Sequence, residues 1–276
     1  MAFFDRGSAR IYFEEIGHGE PIIAVHGLIE NTMYWKLVAK IFSKHQRFIS
    51  MDMRAHGRTV VQGEPYGFDA DTIAEDLIAL ADHLKLGRFH LLAHSTGGFA
   101  AVRHAMKDSS RFATLILTNT SSATSAIPGT SETIRQFHDD LARWFEKYDW
   151  DQIIAKIKKR PEPFFRGIME SERPEELMSL SRDMVGQGDR NIIATFIRSF
   201  YTDPDPRVEG LRKINCPVLI IFGEKDDLFI ESSRLMAREI PGAKLIMYDG
   251  IGHLTAYEAP ELLSRDVLSF VQSHPV

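Results

Sequence analysis

Short apolar runs alternate with helical patterns along much of the chain, and this alternation limits the possible folds more than any other feature. Continuous apolar runs of this length are typical of strands that are buried on both faces. They lie at 21–25, 48–51, 89–93, 113–117, 217–222 and 244–248. Strands that alternate with helices form right-handed crossovers and parallel sheets. We therefore predict an α/β fold with a doubly wound, mostly parallel sheet that helices cover on both faces.

The alternation stops between Thr118 and Val208. This part of the chain has helical periodicity but no convincing buried strand. Helices are predicted at about 134–150, 151–158, 175–185 and 191–201. An all-helical insertion into a sheet domain explains the break most simply. We predict a core domain formed by residues 1–121 and 208–276, and a helical cap, or lid, formed by residues 122–207.

The predicted cap leaves and rejoins the core at the carboxyl edge of the sheet, where parallel sheets bind their ligands. We therefore expect it to cover a pocket. Its candidates for lining that pocket are Trp144, Phe164, Phe165, Met169, Met184, Phe196, Phe200 and Tyr201. Packing inside the cap is the default for apolar side chains at helical spacing. We expect about two thirds of them to form the core of the cap, and the rest to line an apolar pocket.

Charge and composition narrow the possible partners. The 276-residue chain has a formal net charge of -5, with acidic and basic residues interspersed. This pattern argues against a nucleic-acid or anionic-membrane surface. A single cysteine, Cys216, rules out an internal disulfide and fits a reducing compartment. The N-terminus lacks an apolar signal region and no apolar run reaches transmembrane length, so we predict a cytoplasmic protein that acts on a small molecule.

One serine lies where a strand is predicted to meet a helix. Ser95 follows the apolar run at 89–93 and precedes two glycines, Gly97 and Gly98. A serine that only caps a helix needs no such neighbours. Small residues are required where a sharp turn exposes a nucleophile between a strand and a helix. The start of that helix also directs backbone N–H groups at a developing oxyanion, so we predict that Ser95 is a nucleophile.

A serine nucleophile needs a base and a group that orients the base. His253 lies in a glycine-rich loop directly after the last predicted strand, and therefore at the carboxyl edge of the sheet. Acidic residues follow the preceding strand, in the segment Gly223-Glu-Lys-Asp-Asp227. We predict His253 as the base and Asp226 as the orienting acid. The neighbouring carboxylates Asp227 and Glu224 remain alternatives for that acid.

Five short motifs together resemble the α/β-hydrolase superfamily, and in particular its serine hydrolases with a helical cap. They are His26-Gly27, Asp52-Met-Arg-Ala-His-Gly-Arg58, Ala93-His-Ser-Thr-Gly97, Gly223-Glu-Lys-Asp226 and Gly252-His253. The order serine, acid, histidine is also the one found in this superfamily. Two alanines, Ala55 and Ala93, stand where many members have glycine. The resemblance implies that the backbone N–H groups of Leu28 and Thr96 hold the oxyanion.

These features predict a serine hydrolase that cleaves a carboxylic ester or lactone of a small to medium apolar substrate through an acyl-enzyme. The resemblance leaves two alternatives. The first is a hydrolase of carbon–carbon bonds that acts on a vinylogous diketone from ring cleavage. The second is a non-hydrolytic receptor for a small molecule. A serine at the nucleophile position argues against the dehalogenases and epoxide hydrolases of this superfamily, which use aspartate there.

Neither a metal ion nor a nucleotide cofactor is expected. His26, Asp52, His56 and His94 lack the close paired spacing of zinc ligands. The chain has no glycine motif of the kind that cradles phosphates. We interpret His26 and Arg54 instead as residues that fix loops beside the site. The sequence does not indicate the oligomeric state of the protein.

Overall fold

A computed structural model describes residues 2–64, 66–124 and 131–276 of the chain. Within them, one sheet has nine strands. The strands are β1 (Ala2–Arg6), β2 (Ala9–Ile16), β3 (Pro21–Val25), β4 (Arg47–Met51), β5 (Val60–Val61), β6 (Phe89–His94), β7 (Phe112–Thr118), β8 (Val218–Gly223) and β9 (Lys244–Tyr248). Their order is β1-β2-β4-β3-β6-β7-β8-β9, and β5 pairs with β2. The pairings of β2 with β1, β4 and β5 are antiparallel, and all the others are parallel.

Helices cover both faces of this sheet. They are α1 (Lys36–Phe42), α2 (Ala70–His83), α3 (Ser95–Ala105), α4 (Ser131–Lys147), α5 (Trp150–Lys159), α6 (Arg166–Met169), α7 (Pro174–Val185), α8 (Arg190–Phe200), α9 (Val208–Leu211), α10 (Ile230–Glu239), α11 (Thr255–Glu258) and α12 (Pro260–Gln272). The side chains of β3 point alternately into two apolar cores, as those of a strand must. Helices α2, α3 and α10 pack on one core, and α1 and α12 on the other. The predicted doubly wound α/β fold is confirmed.

Five helices, α4 to α8, lie between β7 and β8 where the sequence predicts an all-helical insertion. We call these five helices the cap. Helix α4 packs against α8, and most of the buried cap side chains belong to the same apolar core as α1 and α12. Residues 125–130, near the predicted start of the insertion, lie outside the described residues. The boundaries at 122 and 207 therefore stay a prediction.

The sequence missed two antiparallel elements, β1 and β5. Strand β1 is half of a hairpin at the sheet edge, and β5 has two residues. The helical pattern that follows β3 begins as a 3₁₀ turn, Thr32–Trp35, in which the Tyr34 N–H donates to the Asn31 carbonyl at 2.9 Å and the Asn31 side chain accepts the Met33 N–H. Local periodicity does not report such pairings or turns. Among the described residues, no helix is both long and apolar enough to cross a membrane.

Candidate active site

Ser95 occupies a strained turn between β6 and α3. Its φ of 48° is left-handed, which is uncommon for a residue with a side chain. The N-cap of α3 is His94, so Ser95 is not the capping residue. A Cβ at Gly97 would lie 2.5 Å from the His26 carbonyl oxygen, and one at Gly98 would lie 2.6 Å from Thr120 Oγ1. Both glycines are therefore required by close packing, as the sequence motif predicts.

His253 and Asp226 lie in line behind Ser95. His253 Nε2 is 3.1 Å from Ser95 Oγ, and His253 Nδ1 is 2.8 Å from Asp226 Oδ2. The two other carboxylates that the sequence left open lie elsewhere. Asp227 is exposed and faces Arg166 at 3.5 Å, and Glu224 accepts a hydrogen bond from the Gly250 N–H. Of the three, only Asp226 contacts the histidine.

The loops after β8 and β9 pack tightly enough to fix this contact. The Lys225 N–H donates to the Ile251 carbonyl at 2.8 Å. A Cβ at Gly223 would lie 2.2 Å from the Gly252 carbonyl oxygen, so the first loop can approach only with glycine there. On the other side, the carboxylate of Glu258 in α11 accepts hydrogen bonds from the N–H groups of Gly252 and Leu254. The backbone on both sides of His253 is thus held in place.

The charge balance around His253 favours its protonated form. Burial opposes protonation, but the Asp226 carboxylate outweighs it through its charge and its hydrogen bond, with smaller contributions from Glu30 and Glu258. The pKa of His253 is therefore raised above the ordinary value. The Phe229 ring stacks on the imidazole, with centroids 5.0 Å apart. A histidine in this setting can take a proton from Ser95 and remain stable as an imidazolium.

The two backbone N–H groups predicted to hold an oxyanion belong to Leu28, after β3, and to Thr96, in the first turn of α3. Neither donates a hydrogen bond to another described residue. Leu28 belongs to the loop after β3, in which Ile29 has a left-handed φ of 59°. Thr96 follows Ser95 at the start of α3, and its hydroxyl hydrogen-bonds with that of Tyr201 from the end of the cap. These two amides stay the predicted donors to an oxyanion.

Sequence reasoning missed two polar residues of the site. Asn119 directly follows β7 with a left-handed φ of 49°, and its amide donates to Asp226 Oδ2 at 2.7 Å. Glu30 is 4% exposed, and its Oε2 accepts the Gly27 N–H at 2.6 Å. Burial raises the pKa of Glu30 to about 8. A polar residue directly after a parallel strand is a signal that would have found Asn119, but no local pattern indicates that Glu30 is buried.

His26 and Arg54 fix neighbouring loops, which agrees with the interpretation from sequence. His26 Nε2 accepts the Met53 N–H at 3.0 Å, so the ring proton lies on Nδ1, 2.7 Å from the Gly27 carbonyl oxygen. Arg54 forms a buried ion pair with Asp76 at 2.6 Å. Within the described part of the chain, no group of three or more His, Cys, Asp or Glu side chains is arranged to hold a metal ion.

A cavity of about 680 Å³ lies between the core and the cap, next to Ser95. Most of its lining is apolar. Of the side chains proposed from sequence, it is lined by Trp144, Phe164, Phe165, Met184 and Tyr201. Met169, Phe196 and Phe200 are not part of the lining, and the Phe200 ring packs against Phe99 of α3 with centroids 5.4 Å apart. Five of the eight therefore line the cavity, more than the expected third, and two of these five, Phe165 and Met184, are also buried in the apolar core.

Comparison with known proteins identifies the family. The family model described as alpha/beta hydrolase fold matches residues 20–260, which is most of the chain. The chain belongs to the α/β hydrolase fold family. The AB hydrolase superfamily protein YisY of Bacillus subtilis (strain 168) is 28% identical to this hydrolase over 272 residues, covering 95% of this chain and 96% of the relative.

Solved structures of the same fold agree with that membership. MenH from S. aureus superposes on this hydrolase with a TM-score of 0.84 and 21% identity, covering 96% of this chain and 98% of the neighbour. A thermophilic esterase from Thermogutta terrifontis gives a TM-score of 0.82 and 24% identity, with 97% and 95% covered. The chain is an enzyme of the α/β hydrolase type, because it belongs to this family and several of its curated relatives are named as hydrolases.

Proposed function

We propose that this α/β hydrolase is a serine hydrolase that cleaves a carboxylic ester or lactone of a small to medium apolar substrate. The observation that carries the proposal is the hydrogen-bonded series Ser95, His253 and Asp226 beside an apolar cavity. Nucleophile, base and orienting acid are the three roles that acyl transfer through a serine requires. The proposed chemistry needs no cofactor. We also propose, from the sequence alone, that the protein is cytoplasmic.

In the first half of the reaction, Ser95 Oγ attacks the carbonyl carbon of the substrate while its proton passes to His253 Nε2. The carbonyl oxygen becomes an oxyanion that accepts hydrogen bonds from the Leu28 and Thr96 N–H groups. The Asp226 carboxylate keeps the His253 proton on Nδ1 and stabilises the imidazolium. When the carbon–oxygen bond breaks, His253 returns the proton to the leaving alkoxide. An acyl group then remains on Ser95 Oγ.

Water completes the reaction by the same route. His253 Nε2 takes a proton from a water molecule whose oxygen attacks the acyl carbon. The second oxyanion collapses, the bond to Ser95 Oγ breaks, and His253 gives the proton back to the serine. The products are a carboxylic acid and an alcohol, or one hydroxy acid if the substrate is a lactone.

The cap is proposed to act as a lid that selects the substrate. Its side chains form much of the cavity wall, whereas the reacting groups all lie in the core. A mostly apolar wall with few polar groups suits an apolar acyl or alcohol group. The hydrogen bond between Tyr201 and Thr96 joins the end of the cap to the helix that begins at Ser95. Binding of the remote part of a substrate is thus separated from the chemistry.

A substrate panel with a serine variant tests the proposal. Aryl esters, lactones and vinylogous diketones are assayed with the wild type and Ser95→Ala, and a fluorophosphonate probe is used to label the active serine. We expect ester or lactone hydrolysis by the wild type, none by Ser95→Ala, and one label at Ser95. Turnover of diketones alone would assign the carbon–carbon hydrolase reaction instead. Binding without turnover of any class would indicate a receptor, and hydrolysis that survives Ser95→Ala would overturn the assignment of the nucleophile.

A further inference from the structure

Glu30 is a buried carboxyl group that the proposed reaction does not use. It lies in the loop after β3, with 4% of its surface exposed, and it forms part of the cavity lining beside Ser95. A carboxyl group is rarely this buried unless it is paired or has lost its charge. Among the described residues, no lysine or arginine forms an ion pair with it. The burial of this carboxyl group in the wall of the cavity is therefore not explained by an ion pair with a basic side chain.

Glu30 holds both sides of Gly27. Its Oε2 accepts the Gly27 N–H at 2.6 Å, and its own backbone N–H points to the Gly27 carbonyl oxygen at 3.4 Å. The same carbonyl oxygen lies 2.7 Å from His26 Nδ1. The Gly27 carbonyl and the Leu28 N–H belong to one planar trans peptide group. These contacts on the carbonyl therefore fix the direction of the Leu28 N–H, and the Glu30 side chain adds to them by holding the Gly27 N–H on the other side of the residue.

Gly27 is also in close contact with the proposed nucleophile. A Cβ at Gly27 would lie 2.9 Å from the Ser95 Cβ and 3.0 Å from Glu30 Oε2. Glycine thus packs between the serine and the carboxyl group. A small movement of the Glu30 side chain would shift the loop relative to Ser95. The position of the Leu28 N–H relative to the serine would change with it.

Several titratable side chains face Glu30, and of these His253 lowers the pKa of Glu30 through its charge, although burial outweighs this effect. His94 Nε2 lies 3.3 Å from Glu30 Oε1 without hydrogen-bond alignment, and burial holds the pKa of His94 well below its usual range. The other groups that interact with the Glu30 charge come from four further elements and are Tyr34, Tyr201, His253 and Tyr257. Because burial raises the pKa of Glu30 to about 8, the carboxyl is mostly uncharged at neutral pH.

We propose that Glu30 is a positioning residue for the oxyanion hole: its carboxyl accepts the Gly27 N–H and so holds the loop that carries Leu28, and a negative charge on it would oppose the oxyanion. The inference rests on the acyl transfer proposed at Ser95. A neutral carboxyl can accept the Gly27 N–H without adding a negative charge near the reacting carbonyl. An ionised one keeps the same contact but places two negative charges in one low-dielectric site, where they repel strongly. The rate should therefore fall when Glu30 ionises.

Two substitutions separate the positioning effect from the charge effect. Glu30→Gln keeps an oxygen that can accept the Gly27 N–H but has no charge, whereas Glu30→Ala removes both. Glu20→Gln is the matched control. Glu20 is a partly exposed carboxyl that directly precedes β3, whereas Glu30 follows the other end of that strand. The measurement is kcat and KM for a small activated ester between pH 6 and pH 10. Endpoint fluorophosphonate labelling reports whether Ser95 is still reactive.

We expect Glu30→Ala to lower kcat by about 10- to 100-fold with little change in KM, since the loss of one oxyanion donor costs at most about 10³-fold. The wild type and Glu20→Gln should lose activity several-fold as the pH rises through about 8. Glu30→Gln should lose less kcat than Glu30→Ala at pH 7, and it should lack this alkaline decline.

An unchanged alkaline decline in Glu30→Gln would overturn the inference, even if Glu30→Ala fails to fold. Full activity of a folded Glu30→Ala at every pH would also overturn it. Failure of the proposed function has a different signature. In that case the wild type is not labelled at Ser95, or it hydrolyses esters equally well after Ser95→Ala.

Discussion

The side-chain amide of Asn119 donates to Asp226 Oδ2 at 2.7 Å, the same oxygen that lies 2.8 Å from His253 Nδ1. The other carboxylate oxygen, Oδ1, has no hydrogen-bond partner among the described residues. Asn119 also reaches the Gly252 carbonyl at 3.2 Å, next to His253. One asparagine therefore joins the acid to the loop that carries the histidine, which makes it a candidate for keeping both in register.

Asn119→Gly should reduce kcat by about 10-fold or more while leaving the fold intact. Glycine tolerates the left-handed φ at this position, so the loss of the amide is the main change. Without it, Asp226 is held by fewer contacts and orients His253 less well. The measurement is kcat on a small ester, with thermal unfolding as a check on stability. Lys85→Gly, at an exposed left-handed position far from the site, is the matched control and should keep full activity.

Asp226→Asn should lower kcat by on the order of 10⁴-fold, by analogy with the serine-protease aspartate. It should also move the acid limb of kcat/KM to lower pH. The reason is that His253 acts as a base only when neutral, and the Asp226 charge raises its pKa. Asp227→Asn and Glu224→Gln serve as controls and should remain within a few-fold of the wild type. A severe loss in either control, with an active Asp226→Asn, would assign the acid differently.

Trp144→Ala should change the preference for acyl-chain length. Trp144 lines the cavity on the cap side, so its loss enlarges the site for the remote part of the substrate. Apolar contacts of this kind discriminate by about 1–3 kcal/mol. We expect kcat/KM to be redistributed across a series of p-nitrophenyl esters, with little change for acetate. A uniform fall across all chain lengths, with normal labelling of Ser95, would exclude a role for Trp144 in selection.

Phe200→Ala is expected to act on stability rather than on selection. The ring is buried between the cap and α3 and does not line the cavity. Truncating a buried phenylalanine costs about 3–5 kcal/mol of unfolding free energy. Urea unfolding should show this loss, while the ratio of kcat/KM values for long and short esters stays that of the wild type. A changed ratio without a loss of stability would place Phe200 in the substrate site.

Glu30→Gln should flatten the pH dependence of stability between about pH 4.5 and pH 8. In the wild type the folded-state pKa of Glu30 is raised from 4.5 to about 8. The stabilisation that comes from the protonated Glu30 is therefore fully present below pH 4.5. It is lost as the pH rises to 8, by about 1.4 kcal/mol of unfolding free energy for each pH unit. The difference in unfolding free energy between variant and wild type should grow in favour of the variant across this window. A constant difference would show that Glu30 titrates normally.

The sequence alone was sufficient for the features that local chemistry dictates. Strands such as β6 and β7 are buried along their whole length, and this forces the continuous apolar runs that predict a parallel sheet. A Cβ at Gly97 or Gly98 would lie only 2.5 or 2.6 Å from a neighbouring oxygen, so both positions require glycine. The turn can therefore be predicted from the sequence. The position of His253 after the last strand follows from the same logic, because all the parallel strands end at one edge of the sheet.

Tertiary structure decided what depends on side-chain direction and on partners distant in sequence. Three neighbouring carboxylates were chemically equivalent candidates, and only the packing of the loops after β8 and β9 turns Asp226 towards His253. Periodicity marks Trp144 and Phe200 alike as apolar, yet one lines the cavity and the other packs on α3. The depth at which Glu30 is buried also depends on elements far along the chain. A residue's burial and pKa are set by all the groups around it, and these neighbours meet only when the chain has folded.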